Sequence, residues 1–148
     1  MLFRSYNIGY AGSHPFRMFV EKTTGRRRDI PKSTLRLMAL GSAAEPVIRE
    51  WFADETGMQV IAPPEDRRLI HFHHEHGCIG ATLDGAVIKG GEPVIFEAKR
   101  VTWSQAGDWK DGAPRKHRVQ AQHQMLATGL NACYIVGMIN DKIGRAHV

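Results

Sequence analysis

The residues with the chemistry to act together are Asp84 and the run Glu97-Ala98-Lys99. Twelve residues separate Asp84 from Glu97, and Lys89-Gly90-Gly91-Glu92 lies between them. A hairpin folded at that turn lays two strands side by side. Side chains alternate faces along a strand, so Glu97 and Lys99 point the same way. Two carboxylates and an amine then converge on one side of a sheet whose other positions are apolar. Two acids so placed repel each other, and a divalent cation, hard enough for oxygen ligands, would remove that cost. An ordinary cross-strand ion pair between Lys99 and an acid is equally compatible with the spacing.

These residues need elements to hold them. A helix is expected from Ser33, as N-cap, to about Glu55, with Ala44, Val47, Ile48, Trp51 and Phe52 as its apolar stripe and Gly57 ending it. Pro46 inside this run should kink or restart it near Ala43. Strands are expected over 58–62, 68–74, 78–88 and 94–100, with 94–96 apolar on both faces, as near the middle of a sheet. Residues 101–114 read as a loop holding Trp103 and Trp109. A second helix spans 118–128 before Gly129, and a last strand spans 132–139. The implied class is α/β, a sheet with helices packed on it, in the order αβββαβ.

Composition bounds the rest. The chain has 148 residues, 43% of them apolar and 24% charged, enough for one globular domain. No apolar run approaches the roughly 18 residues of a membrane span, and no leader is apparent at the start. Two cysteines, Cys78 and Cys133, make no disulfide framework and are too few for an iron–sulfur cluster. The net charge is +5, with basic clusters at Arg26-Arg27-Arg28, Arg67-Arg68, Lys99-Arg100 and Arg115-Lys116-His117-Arg118. Each alone reads as solvated surface; four around one set of carboxylates favour a polyanionic partner. The run from His71 to Cys78 invites zinc, but it lacks a second paired ligand set, and a polar hairpin tip is the plainer account.

Four ordered motifs carry a resemblance. They are Gly41-Ser42-Ala43-Ala44-Glu45 running to Trp51-Phe52 and Thr56-Gly57, then Gly80-Ala81-Thr82-Leu83-Asp84-Gly85, then Glu97-Ala98-Lys99, then Gln120-Ala121-Gln122-His123-Gln124-Met125 with Thr128-Gly129. Over about residues 33–140 the sequence resembles the PD-(D/E)XK nuclease superfamily, in its phage lambda exonuclease-like (YqaJ-type viral recombinase) branch. Leu83 stands where that family usually has proline before the motif acid. The resemblance implies a restriction-endonuclease-like core with a mixed central sheet and a divalent-metal-dependent DNA exonuclease.

It further implies that Asp84, Glu97 and the Ala98 carbonyl ligate Mg2+, with Mn2+ as an alternative, and that Glu45 helps bind a second metal or orient its water. Lys99 would position or deprotonate the attacking water. Gln122, and Gln120 less surely, would hydrogen-bond near that lysine or the DNA; Gln122 shares a helix face with Val119 and Leu126, which suggests partial burial. Arg100, Arg115, Lys116 and Arg118 are the DNA-binding candidates. Trp103 and Trp109 read as loop anchors, and His123 as a residue satisfied in or near the core. Implied partners are duplex DNA ends, a single-strand annealing protein and further copies of the chain, in the cytoplasm of a bacterial host, with a phage or prophage origin. A non-catalytic DNA-binding member of the same fold is the alternative.

The last residues, Ile143-Gly144-Arg145-Ala146-His147-Val148, and Lys142 with them, resemble the translation of a sequencing-library adapter. The expectation is therefore one domain over 1–141, a non-native tail at 142–148, and natural C-terminal elements missing after Asp141.

Overall fold

The computed structural model describes residues 15–25, 29–64, 70–139 and 142–147. The arginine clusters at 26–28 and 67–68 lie outside the described residues. Two helices come first, α1 (Pro15–Thr24) and α2 (Lys32–Thr56). The strands β1 (Val60–Ile61), β2 (Ile70–Phe72), β3 (Gly80–Thr82), β4 (Gly85–Lys89) and β5 (Glu92–Val101) follow. A 3-10 helix (Trp103–Trp109), α3 (Arg115–Thr128), β6 (Cys133–Ile139) and β7 (Lys142–His147) complete the order.

The main sheet has the order β1-β4-β5-β6-β7; β2 and β3 form a separate two-stranded ribbon. All pairs are antiparallel except β5 with β6. A parallel pair needs a long crossover, which the 3-10 helix and α3 supply. With the β2–β3 ribbon set aside, α2, β1, β4, β5, α3 and β6 are the expected αβββαβ order.

Each face of the sheet has its own core. Ala44, Ile48 and Phe52 of α2 pack on Val87, Val94, Phe96, Ala98, Tyr134 and Val136. The Phe52 ring lies 5.1 Å from Phe96, edge to face, and 5.3 Å from Tyr134. On the other face Ile95, Cys133 and Ile135 pack with Ala113 and Ala121, and with the partly buried Trp109 and Met125. Glu97 alternates with Phe96 and Ala98 and so lies on the α3 side.

Several expectations about single elements are corrected. The long helix starts at Lys32 behind Pro31, not at a Ser33 cap, and has no side-chain cap. It runs through Pro46 without a break, because Pro46 lies on the exposed side while Ala44, Ile48 and Phe52 bury the other. The strand expected over 78–88 is two strands in different sheets, parted at Leu83-Asp84. The loop after β5 contains a 3-10 helix, where Gln105 Oε1 accepts from the Thr102 N–H (3.3 Å) and hydroxyl (3.0 Å). The second helix begins at Arg115, three residues early, directly after Pro114. The tail that was set aside pairs along β6 as the edge strand β7, with Gly144 opposite Gly137.

Gly90 and Gly91 have φ of 62° and 87°, the left-handed conformations that a two-residue hairpin turn needs at both positions. That turn sets the register Gly85↔Phe96, which brings Asp84, one residue earlier, alongside Glu97. Gly85 itself lies under β1: a Cβ there would stand 2.7 Å from Val60 Cγ1 and 3.1 Å from the Ile61 carbonyl oxygen. The glycine after the acid is thus a packing requirement that places Asp84 at the bend.

Candidate active site

Asp84 occupies the bend between β3 and β4, where its chain leaves one sheet for the other. Its carbonyl oxygen accepts from Arg49 of α2 at 3.1 Å. Its Oδ2 accepts from the Ala98 N–H at 3.0 Å, which ties the bend to β5 beside Glu97. Burial pushes the Asp84 carboxyl from its ordinary 3.8 up to about 7. The Glu97 charge adds to the rise and Glu45 adds less, while Lys99 and the Ala98 hydrogen bond oppose it.

Glu97 is 1% exposed in the middle of β5. A buried carboxylate must have its oxygens satisfied. Lys99 Nζ donates to Oε1, and so does Gln120 Nε2 at 2.6 Å. Gln124 Nε2 donates to Oε2. Lys99, two residues on along the same face, is partly exposed and opens the cluster toward solvent.

The glutamine helix is turned differently from the sequence expectation. Gln122 is exposed, and so are Val119 (44%) and Leu126 (52%), the apolar residues that suggested its burial. The inner face consists of Ala121, Gln124 and Ala127, with Gln120 at its margin. Gln122 therefore does not meet Glu97, whereas Gln124 does. The available signal was the pair of alanines at 121 and 127, small residues that allow close approach to the sheet. His123 bonds the Gly80 carbonyl at 3.2 Å, the satisfied role expected of it.

Glu45 lies on α2, partly buried and close enough to act on Asp84 through space. It does not join the acids as a third coordinating group: among the described residues no group of three or more His, Cys, Asp and Glu is placed to hold a metal. The fit to a cation therefore rests on the donor set itself. Two hard carboxylates are crowded where burial penalises their charge, which suits a small oxygen-seeking ion whose other ligands are water and phosphate. Ala98 contributes its N–H to Asp84, and its methyl lies in the α2-side core.

The α3 terminus adds positive charge. It opens with Arg115, Lys116 and Arg118, with no acid in its first turn. Arg115 and Arg118 are exposed, as is Arg100 at the end of β5. His117 sits between them, its ring 5.5 Å from Trp109. Burial, then the charges of Lys99 and Lys116, lower its pKa from 6.5 to about 3. The basic helix start is thus close enough to Lys99 for both to act on one imidazole. Trp109 is the loop anchor expected, packed against Gly137, but Trp103 is 77% exposed and anchors nothing.

The zinc reading of residues 71–78 does not hold. His73 Nδ1 accepts the N–H groups of Glu75 (3.2 Å) and His76 (3.1 Å). Its ring stacks with that of His74 (4.7 Å) and with that of His76 (5.0 Å). Rings stacked in this way, with one nitrogen already committed to the turn, do not converge on a tetrahedral ion.

No curated protein sequence matches the chain. It has the fold of an alkaline exonuclease (LHK-Exo) from Laribacter hongkongensis, with TM-score 0.68, 22% identity, and 93% of this chain matched to 71% of that one. The structure of LHK-Exo in complex with dAMP matches with TM-score 0.67 and 23% identity over 88% of this chain. There the chain spans 65% of its neighbour's length. The mixed sheet flanked by helices is thus the restriction-endonuclease-like fold. A model of the YqaJ-like viral recombinase domain matches residues 9–131, which takes in the acids, the lysine and the glutamine helix, and the chain belongs to that family.

Proposed function

We propose that the protein is a divalent-metal-dependent deoxyribonuclease, an exonuclease acting at the ends of linear duplex DNA in phage-type recombination. The observation that carries this reading is the Asp84–Glu97–Lys99 cluster, built on the buried Glu97 and opening to solvent at Lys99, in which Asp84 is held up near 7 by burial and by Glu97. Family membership and the fold shared with an alkaline exonuclease support it.

Asp84 and Glu97 would hold Mg2+ or Mn2+, with the Ala98 carbonyl as a further oxygen and Glu45 acting through water. When bound, the ion supplies Lewis-acid stabilisation of the scissile phosphate and lowers the pKa of water. The chain's own groups do the rest. The Ala98 N–H holds Asp84 Oδ2 in place, and Gln120 and Gln124 hold the two oxygens of Glu97. Lys99 positions the attacking water and meets the negative charge that develops on the phosphate oxygens.

Arg100, Arg115, Lys116 and Arg118 bind the DNA backbone. Cations at a helix N-terminus oppose the dipole, and a phosphate there reverses that penalty. Gln122, on the exposed side of α3, is assigned to DNA contact rather than to Glu97. Among the described residues no helix is long and apolar enough to cross a membrane. A cytoplasmic site in a bacterial host, a single-strand annealing partner and self-association complete the proposal. The domain proper is taken as 1–141, with its core at about 33–140 and 142–148 as a foreign extension.

The test is Mg2+-dependent release of nucleotides from linear duplex DNA. Lys99→Ala should lose activity by about a hundredfold or more and still bind DNA ends. Equal activity in both proteins refutes the mechanism. DNA binding without release by the wild type would make this a non-catalytic member of the family.

A further inference from the structure

Gln124 is as deeply buried as Glu97, 1% exposed, and the two are the buried polar side chains among the described residues. Its Nε2 donates to Glu97 Oε2 and to the Thr82 carbonyl oxygen at 3.2 Å, while its Oε1 has no donor. Turning the amide over would set that oxygen against a carboxylate oxygen and a carbonyl oxygen, so the two acceptors fix its orientation. An amide held for its donors while its own buried acceptor goes unpaired serves its partners at a cost to itself. Those partners belong to the two segments that carry the acids: Thr82 ends β3 two residues before Asp84, and Glu97 is on β5.

We propose that Gln124 is a positioning residue that reserves Glu97 Oε2, limits Glu97 to one-oxygen ligation, and so biases the site toward small six-coordinate cations over calcium. The proposal rests on the metal-binding reading of the site given above. Calcium takes six to eight oxygens and favours bidentate carboxylates, whereas magnesium and manganese are held by single carboxylate oxygens and water. The donors to Oε1, Lys99 and Gln120, come from partly exposed side chains that can move aside. Gln124 has no such freedom, because its own side chain is buried and its Nε2 is held by two acceptors at once.

The test titrates the full chain with Mn2+ and, separately, Ca2+ by calorimetry, in wild type and in Gln124→Met, which keeps the volume and removes the donors. The ratio of calcium to manganese dissociation constants should fall about tenfold in the variant. An unchanged ratio, with both proteins binding Mn2+, overturns the role of Gln124 and leaves the metal site standing. Binding of neither ion by the wild type overturns both. Should the variant not fold, the wild-type side-chain amide protons of Gln124 decide by NMR. Protection from exchange that persists on Mg2+ loading supports the proposal, and protection lost on loading refutes it.

Discussion

Asp84→Asn should make the metal-free protein more stable in mildly alkaline solution, although it removes one of the two carboxylates proposed to hold the metal. In the unfolded chain the carboxyl ionises at its ordinary 3.8; in the folded chain burial, then Glu97, hold it at about 7. Below pH 4 both states keep the proton and burial carries no ionisation penalty. Between these values the unfolded state loses its proton first, so stability falls as pH rises and the loss is complete above about 7. At about 1.4 kcal/mol for each tenfold change in acidity, the penalty reaches a ceiling of roughly 4 kcal/mol. Asparagine keeps an oxygen for the Ala98 N–H and never ionises. Urea unfolding with a chelator present should show the variant more stable by roughly 2–4 kcal/mol at pH 8, and by about 2–3 kcal/mol less than that at pH 5. At about 2–4 °C per kcal/mol, the variant should melt roughly 10 °C higher at pH 8. A variant no more stable than wild type at pH 8, or a difference independent of pH, would refute the crowding of these two acids.

Gly85→Ala should cost about 1–3 kcal/mol of stability in urea unfolding and weaken Mn2+ binding, because its Cβ meets Val60 at 2.7 Å and the strain falls on the bend that presents Asp84. Phe52→Ala should destabilise by about 3–5 kcal/mol in the same assay, since its ring joins Phe96 and Tyr134 between α2 and the sheet. A thiol reagent should titrate one cysteine in the native protein and two in denaturant. Cys78 is exposed, whereas Cys133 is buried and its thiol is pushed up to about 12, by burial first and then by Glu97.

Much of the frame was legible in the residues because it depends on local chemistry. The Gly90-Gly91 pair admits the turn that few other residues allow, and the turn sets the register that brings Asp84 beside Glu97. Alternation along a strand then places Lys99 on the same face as Glu97. Of the expected stripe, Ala44, Ile48 and Phe52 are buried as helical spacing places them, Trp51 is partly buried and Val47 is exposed; Gly57 and Gly129 mark both helix ends with left-handed φ of 71° and 75°. These features involve residues close in sequence, or joined by one short turn.

What the tertiary structure alone decided concerns partners distant in sequence. Asp84-Gly85 is a turn signal within 78–88, but nothing local shows that the chain changes sheet there, because Ala98, Val60 and Arg49, from other elements, hold that bend. The rotation of α3 was signalled only by Ala121 and Ala127. Hydrophobicity favours Val119 and Leu126 as its inner face, yet they are exposed and Gln124 is buried. A buried carboxylate on β5 needs donors more than the sheet needs another aliphatic side chain there, and that demand exists only once α3 is laid across Glu97. The sequence thus settled which groups could do chemistry; the packing of one helix on one strand decided which glutamine serves them.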